Sequence, residues 1–555
     1  MDFKTLGQKV IYQIYPKSFY DSNNDGIGDL RGIIDKIDYI KKLNIDMIWF
    51  NPFFVSPQND NGYDIEDYRR IDPRFGTMAD FEELVVKLRD INVDVMLDMV
   101  LNHCSTEHTW FQKALAGDTY YQDFFYLRPG KDGSCPNNWQ SKFGGPAWSR
   151  FGDTDLYYLH LYDETQADLD WHNPHVRREM INVVNFWRKK GVHGFRFDVI
   201  NVTGKDTVFV DSTNIEQEKR LYTDTPVVHD YLKELNAQSF GQDPASITVG
   251  EMSSTTIKNS IAYTKPDNHE LTMTFAFHHL KTDYEDGKKW SKAPFDFEAL
   301  KHYLLDWQEE ITAGGGWQAL FWNNHDQPWA LNRFGDASKY RVKSAEMMAA
   351  AIHLMRGTPY IYMGEELGMI DPSYQEMDQY VDVEAHNAYQ QLLAEGHTTE
   401  EAFAIIHSKA RDNSRVPMHW DDTQYAGFSQ VEPWLLPTDQ ERINVTRELN
   451  QGGIFDFYQQ LIHLRKHEDL VSIGDIQSIL RDDKQVLAYV RTLPERTDQL
   501  VVFNNFYATE TTVTVPAEYR QPGEVVITND KRTLNELPKQ LTLQSYETLA
   551  FRTNA

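Results

Sequence analysis

Eight short apolar runs punctuate the first two thirds of this 555-residue chain, at 10–16, 46–52, 93–100, 194–200, 247–252, 271–277, 319–323 and 359–362. Most are followed by a stretch of helical periodicity. Runs such as MIWF (47–50) and VMLDMV (95–100) are apolar at nearly every position, the pattern of strands covered on both faces. Between them, residues 29–43 and 78–92 place apolar side chains at i, i+3 and i+4. Strands alternating with helices predict a parallel sheet, and eight of them predict a closed ring. The fold class expected is therefore α/β, a (β/α)8 TIM barrel built from residues 1–102 and 172–471.

Two long interruptions shape the expectation further. Residues 103–171, rich in Gly, Pro, Asn, Trp and Tyr, separate the third run from the fourth and predict an inserted subdomain rising over the rim. After the eighth run come an acidic helical portion (383–410) and RDNSRVPMHW (411–420). Beyond residue 472 the texture alternates with period two, as in VLAYVRTL and DQLVVFNNF, which predicts a C-terminal antiparallel β-sandwich domain over 472–555.

With 83 acidic and 55 basic side chains the net charge is −28, which argues against nucleic acid or an anionic membrane as partner. The first ten residues carry no apolar leader, and no run reaches the ~18 apolar residues of a membrane span. The only cysteines, Cys104 and Cys135, are read as unpaired thiols. A cytoplasmic monomer is expected.

Three acids close apolar runs or follow them directly: Asp198 in GFRFDVIN (194–201), Glu251 in ITVGEM (247–252) and Asp326 in WNNHDQ (322–327). In a β/α barrel such positions lie on the rim where chemistry is done. One carboxylate can attack an anomeric carbon while a second, protonated, releases the leaving oxygen; like charges held ~5 Å apart keep that second proton in place. Any one of these acids could equally cap a helix or pair with a base. Arg196, two residues before Asp198, and His325, beside Asp326, complete a set suited to glycoside cleavage.

These motifs, with DMVLNH (98–103) and QADLDW (166–171), resemble the signatures of the α-amylase family of retaining α-glycosidases, glycoside hydrolase family 13. The resemblance implies that Asp198 is the nucleophile, Glu251 the acid/base and Asp326 the transition-state stabiliser. It implies that Arg196 orients Asp198 and that His103 and His325 bind sugar hydroxyls. It also implies that Asp60 and Arg415 pair to close the pocket behind a terminal glucose on which Tyr63 stacks. The NDNG around Asp60 is equally good turn chemistry. DSNNDGIGD (21–29) offers Asp21, Asn23, Asp25, the carbonyl of Ile27 and Asp29 as oxygen ligands around Gly26. That pattern predicts a structural Ca2+ or Mg2+ and no catalytic cofactor; a metal-free polar turn is the alternative.

Within the family, EMSSTT (251–256), MTFAFHHLKTDY (273–284), GKKW (287–290) and NNWQSKFGGPAW (137–148) resemble the branch that hydrolyses trehalose 6-phosphate. The last of these, and Val199, are shared with relatives that cleave isomaltose-type oligosaccharides. A sugar phosphate entering an acidic pocket needs local positive charge, and Lys281, Lys288 and Lys289 fall within nine residues after the sixth run. Lysines in a DGKK turn are also ordinary solvated residues. His279 is a weaker candidate. Trp329, Met363, Val416 and His419 depart from the family pattern, and Trp329, where Arg is usual, removes a positive group expected near the pocket mouth. The implied reaction is hydrolysis of trehalose 6-phosphate to glucose and glucose 6-phosphate. The alternatives are an oligo-1,6-glucosidase or dextran glucosidase, a sugar isomerase, and a non-catalytic scaffold, the last disfavoured by the retained acids.

Overall fold

A computed structural model describes residues 2–554. Eight parallel strands form its centre: β1 Ile11–Ile14, β2 Met47–Phe50, β3 Asp94–Met99, β4 Gly194–Phe197, β5 Ile247–Glu251, β6 Met273–Phe275, β7 Ala319–Leu320 and β8 Thr358–Tyr362. They are hydrogen-bonded in the order β6-β5-β4-β3-β2-β1-β8-β7. A parallel bridge between Thr274 and Gln318 joins the two ends and closes the ring. The expected barrel is present. Its strands are shorter than the apolar runs, because the run ends bend outward to form the rim. Gly194 opens β4 where a Cβ would stand 2.6 Å from the Cβ of Met96 and 2.7 Å from the sulfur of Met47. Only a residue without a side chain lets β4 lie this close to β3 and β2.

Two helical expectations are corrected. Residues 29–43 form two helices, Leu30–Asp35 and Ile37–Leu43, because Lys36 leaves helical geometry at φ −104°, ψ 13°. Its ammonium lies over the rings of Tyr20 and Trp420, at 3.9 and 4.3 Å from their centroids, a contact with distant sequence that periodicity does not register. The acidic stretch is likewise two helices, Val383–Ala394 and Thr399–Lys409. Gly396 turns the chain at φ +99°, and a capping box between Thr398 and Glu401 starts the second helix.

Between β3 and β4 the chain leaves the barrel through an antiparallel neck, His103–Ser105 against Gln166–Asp168. Above the neck it forms a three-stranded sheet of Leu127–Pro129, Leu156–Leu159 and Trp148–Arg150. Tyr126, Trp139 and Trp148 pack in one apolar cluster with Val199 and Val202, just past β4. That cluster anchors the subdomain over the carboxyl ends of the strands.

At the C-terminus, Asp475–Ile479, Val486–Thr492, Leu500–Asn505, Thr548–Thr553 and Gly523–Thr528 form a five-stranded antiparallel sheet in that order. A second layer pairs Thr511–Thr514 with Gln540–Leu543, and Val486, Phe503, Val513, Leu541 and Phe551 fill the space between. The sheet docks through Tyr489, which donates to Ala351 O at 2.8 Å. Beside it, the buried Arg491 donates to the carbonyls of Leu354, Val471 and Gly474. Among the described residues no helix is long and apolar enough to cross a membrane, and both cysteines are free.

Just beyond the carboxyl end of β8, Glu365 accepts from Asn323 Nδ2 and Tyr458 Oη, each at 2.6 Å. Burial raises its pKa from 4.5 to about 7 despite these donors. The folded state therefore holds a proton that the unfolded chain releases above pH 4.5, so this group's contribution to stability falls as pH rises from 4.5 to 7. The full effect is roughly 3 kcal/mol. Urea midpoints measured at pH 5 and pH 7 check this: Glu365→Gln is expected to flatten the decline, and an unchanged slope would refute the linkage.

Candidate active site

The rim acids converge. One cavity of about 240 Å³ opens at the carboxyl ends of the strands and is lined by Asp60, Tyr63, His103, Asp198, Glu251 and Asp326. Lys142, Phe143, Tyr162, Lys281, Lys289, Glu384 and Arg411 also line it. Glu251 is the last residue of β5, Asp198 follows β4 directly, and Asp326 stands six residues beyond β7. After Asp198 the chain turns through Val199 at φ +37°. A β-branched residue in the left-handed region is strained, and the turn aims the Val199 N–H at Glu251 Oε2, 3.3 Å away.

Arg196, fully buried on β4, organises the floor. Its Nη1 donates to Asp98 Oδ1 at 2.7 Å and to Asp198 Oδ1 at 2.6 Å, and its Nη2 donates to Glu251 Oε2 at 2.6 Å. Asp98 and Arg196 are direct neighbours in the β3–β4 register, so this ion pair is built into the sheet. Asp98 Oδ2 accepts from Tyr63 Oη at 2.8 Å and Trp49 Nε1 at 3.2 Å. Tyr63 stacks on His325, with centroids 5.3 Å apart and planes 5° from parallel. Gln13 Nε2 donates to His325 Nδ1 at 3.0 Å, leaving the proton on Nε2 to face Tyr63 Oη at 2.7 Å and Asp326 Oδ2 at 3.0 Å. Burial lowers His325 and keeps it neutral. His103 is also neutral, lowered by burial to about 4, with Nε2 3.2 Å from the carbonyl of Tyr63.

The carboxylates differ in their surroundings. Burial first, and then the neighbouring Glu251, push Asp198 up against the opposing pull of Arg196. Burial also pushes Asp326 upward, but His325, Arg411 and Arg415 outweigh it and hold Asp326 well below the usual carboxylate range.

The partner of Asp60 corrects the sequence reading. Arg411 Nη2, not Arg415, donates to Asp60 Oδ1 at 3.2 Å, while Gln166 Nε2 donates to Asp60 Oδ2 at 3.0 Å. Arg411 also reaches Asp382 at 2.5 Å, Glu384 at 3.3 Å and Asp326 at 3.4 Å, and it lies on the ring of Phe143, 5.1 Å from its centroid. Arg415, one helical turn later in Asp412–Arg415, points into the barrel below Asp326. Its Nη2 donates to Asp326 Oδ1 at 2.9 Å and its Nε to the carbonyl of His325 at 2.7 Å. The motif RDNSR holds two arginines one turn apart, and nothing local says which faces the cavity. Burial raises Asp60 to about 7 even with both arginines opposing.

The lysines separate as well. Lys281 and Lys289 line the cavity, and Lys289 is engaged by Glu384 at 2.7 and 2.8 Å. Lys288 is exposed on the turn outside it. Lys142, which the sequence reading did not single out, enters the lining from the subdomain. His279 is buried against the carbonyl of Phe321 at 2.9 Å, outside this cavity. Trp329 is buried beside Tyr362 and does not face the mouth, so its departure from the family pattern removes no charge there. Met363, Val416 and His419 are buried too.

In the loop at 21–29, Asp21 Oδ2 accepts from Gly26 N at 2.8 Å and Ser429 Oγ at 2.6 Å, and its Oδ1 accepts from Asn24 N at 2.7 Å. Asp25 Oδ1 accepts from Ile27 N at 2.9 Å, and Asp29 caps the helix Leu30–Asp35. Gly26 stands at φ +88° with the carbonyl of Glu432 2.6 Å from where a Cβ would be. The donor set is all oxygen, with three carboxylates, and suits a hard divalent cation. Among the described residues no group of three or more His, Cys, Asp or Glu side chains is gathered around one point.

Residues 13–474 match the family described as alpha amylase, catalytic domain, and residues 486–549 match the alpha-amylase SusG C-terminal domain. The chain belongs to the α-amylase family and is an enzyme of its retaining glycosidase class. It is 48% identical to a trehalose-6-phosphate hydrolase of Bacillus subtilis (strain 168) over 550 residues, covering 98% of this chain and 97% of the relative. It is 42% identical to an oligo-1,6-glucosidase of Parageobacillus thermoglucosidasius over 555 residues, 98% of each. A crystal structure of Bacillus licheniformis trehalose-6-phosphate hydrolase superposes with a TM-score of 0.94 at 47% identity, covering 99% of both chains.

Arg196, itself fully buried, is the cation shared by three carboxylates. Arg196→Met is expected to destabilise the fold by about 3–5 kcal/mol, since removing one partner of a buried pair strands the other charges. Equilibrium urea unfolding measures this, and a loss below about 1 kcal/mol would show that the acids had taken up protons instead.

Proposed function

We propose that this chain is a retaining hydrolase that cleaves α,α-trehalose 6-phosphate to glucose and glucose 6-phosphate. The observation that carries the chemistry is the joint hold of Arg196 on Asp198 and Glu251, one carboxylate on each Nη at 2.6 Å. That arrangement sets a nucleophile and an acid side by side at the floor of one cavity.

Asp198 attacks the anomeric carbon of the unphosphorylated glucose. Glu251 gives its proton to the glycosidic oxygen, and glucose 6-phosphate leaves. Attack requires Asp198 as the anion, so the proton is delivered from Glu251. Water then enters, Glu251 takes its proton, and the hydroxide displaces the sugar from Asp198, releasing glucose with its configuration retained. Asp326, anionic beside Arg411 and Arg415, faces the ring hydroxyls and the positive charge that develops on the sugar. Asp60 and Arg411, bridged at 3.2 Å, close the wall behind the terminal glucose, with Tyr63 and His103 beside it. The 48% identity to a trehalose-6-phosphate hydrolase supports the choice of substrate.

Asp198→Asn and Glu251→Gln are each expected to lower kcat at least about a hundredfold, and near-normal turnover in either would sink the assignment. The substrate is decided by comparing kcat/KM for trehalose 6-phosphate, isomaltose and p-nitrophenyl α-glucoside; a preference for isomaltose would make the chain an oligo-1,6-glucosidase. The same reading places the enzyme in the cytoplasm as a monomer, a compartment that suits its two free thiols.

We propose also that Asp21, Asn23, Asp25, the carbonyl of Ile27 and Asp29 hold a structural Ca2+ or Mg2+, far from the reacting atoms. Chelation by EDTA is expected to lower the melting temperature, with Ca2+ or Mg2+ restoring it, while kcat of the folded enzyme stays the same. A melting temperature indifferent to both would refute the site.

A further inference from the structure

Gln327 also lines the cavity, and the reaction described above gives it no part. It follows Asp326 directly and is part-buried. Arg333, on the short helix Ala330–Phe334, donates from Nη1 to Gln327 Oε1 at 2.9 Å. A guanidinium carries donors only. The end of the amide that meets it must therefore be the oxygen, and the nitrogen is the end left to the cavity. Among the described residues Gln327 Nε2 makes no hydrogen bond, and it is not sealed from solvent.

Arg333 has little freedom. Its Nε and Nη2 donate to Asp283 Oδ2 and Oδ1 at 2.9 and 2.7 Å, and Nη2 also donates to the carbonyl of Leu280. Lys409, which ends the helix Thr399–Lys409, donates to the Asp283 carboxylate and, at 3.2 Å, to the Asp283 carbonyl. The side chains of Arg333, Asp283 and Lys409 are each no more than 5% exposed. A buried guanidinium forked on one carboxylate holds a single orientation. It fixes Gln327 in turn, and a charged donor on Oε1 polarises the amide and strengthens its N–H.

The place of that N–H follows from the ring. Strands β6 and β7 stand opposite β2 and β3. Tyr63 and His103, beyond β2 and β3, flank the terminal glucose. Gln327, beyond β7, lines the other arc with Phe277 and Leu280, beyond β6.

We propose that Gln327 Nε2 donates to a hydroxyl of the leaving sugar, and that Arg333, held by Asp283 and Lys409, is the positioning residue that presents it. This deepens the reading of the chain as a trehalose-6-phosphate hydrolase and rests on it. Trehalose 6-phosphate releases a pyranose with hydroxyls to accept the bond. A p-nitrophenyl glucoside releases an aryl oxide that has no sugar hydroxyl.

The experiment reads a ratio, kcat/KM for trehalose 6-phosphate over kcat/KM for p-nitrophenyl α-glucoside. Both substrates place the same glucose over Asp326, so damage to the floor or to the folded fraction cancels. Gln327→Met is expected to lower the ratio about three- to tenfold, the worth of one neutral hydrogen bond. Arg333→Lys keeps a cation for Asp283 but lacks the fork that reaches Gln327, and should lower it about threefold. In the double variant the ratio should match that of Gln327→Met alone. A Gln327→Met enzyme that keeps the wild-type ratio would overturn the donor and leave the hydrolase reading standing. An Arg333→Lys ratio equal to the wild type, or a loss that multiplies with that of Gln327→Met, would overturn the positioning role. A wild type that prefers isomaltose would overturn the substrate reading alone; the ratio is then taken with isomaltose, whose leaving glucose also offers hydroxyls, and the same outcomes decide the donor.

Discussion

Two buried guanidinium groups make the acidic rim of this barrel possible. Desolvating a carboxylate costs several kcal/mol unless a counter-charge and hydrogen bonds replace the lost water. The site gathers Asp98, Asp198, Glu251, Asp326, Asp60 and Asp382, all buried except the part-exposed Asp326. Arg196 answers the first three from inside the sheet, and Arg411 the last three from the loop beyond β8. Arginine suits both posts, since its planar fork serves several oxygens at once and it keeps its charge when buried.

The barrel supplies the geometry that this balance needs. Neighbouring strands are in parallel register, so Arg196 lies level with Asp98 on one side and Val249 on the other, and Glu251 emerges two residues above. Asp98, Asp198 and Glu251 thus rise from adjacent strands at a spacing set by the sheet. The inserted subdomain closes the site from above through the packing of Trp139 and Trp148 on the residues after β4. Val199 is the β-branched residue among the described residues with positive φ, and its left-handed backbone turns the chain between Asp198 and Ile200.

The floor and the mouth of the cavity are built from different stretches of chain. The floor holds Arg196, Asp198, Glu251 and Asp326, and relatives bearing different substrate names are 48% and 42% identical over nearly the whole chain. The mouth is assembled from three separate stretches: the subdomain loop at Lys142, the turn at Lys281 after β6, and Lys289 with Glu384.

The alternation of apolar runs with helical stretches was enough to specify a barrel, because burial on both faces of a parallel strand leaves an unmistakable composition. The rim acids were legible too, since each lies at or just beyond the end of such a run. Breaks within helices were not, as at Lys36, where contacts with Tyr20 and Trp420 bend the chain. Charge pairing was the least legible of all. Asp60 and Arg411 are 351 positions apart, and RDNSR offers two arginines with equal claim. Only the tertiary structure decided that Arg411 meets Asp60, that Arg415 supports Asp326, and that Lys289 is engaged by Glu384. An ion pair is a relation between distant segments of chain, whereas a buried strand is written in consecutive residues.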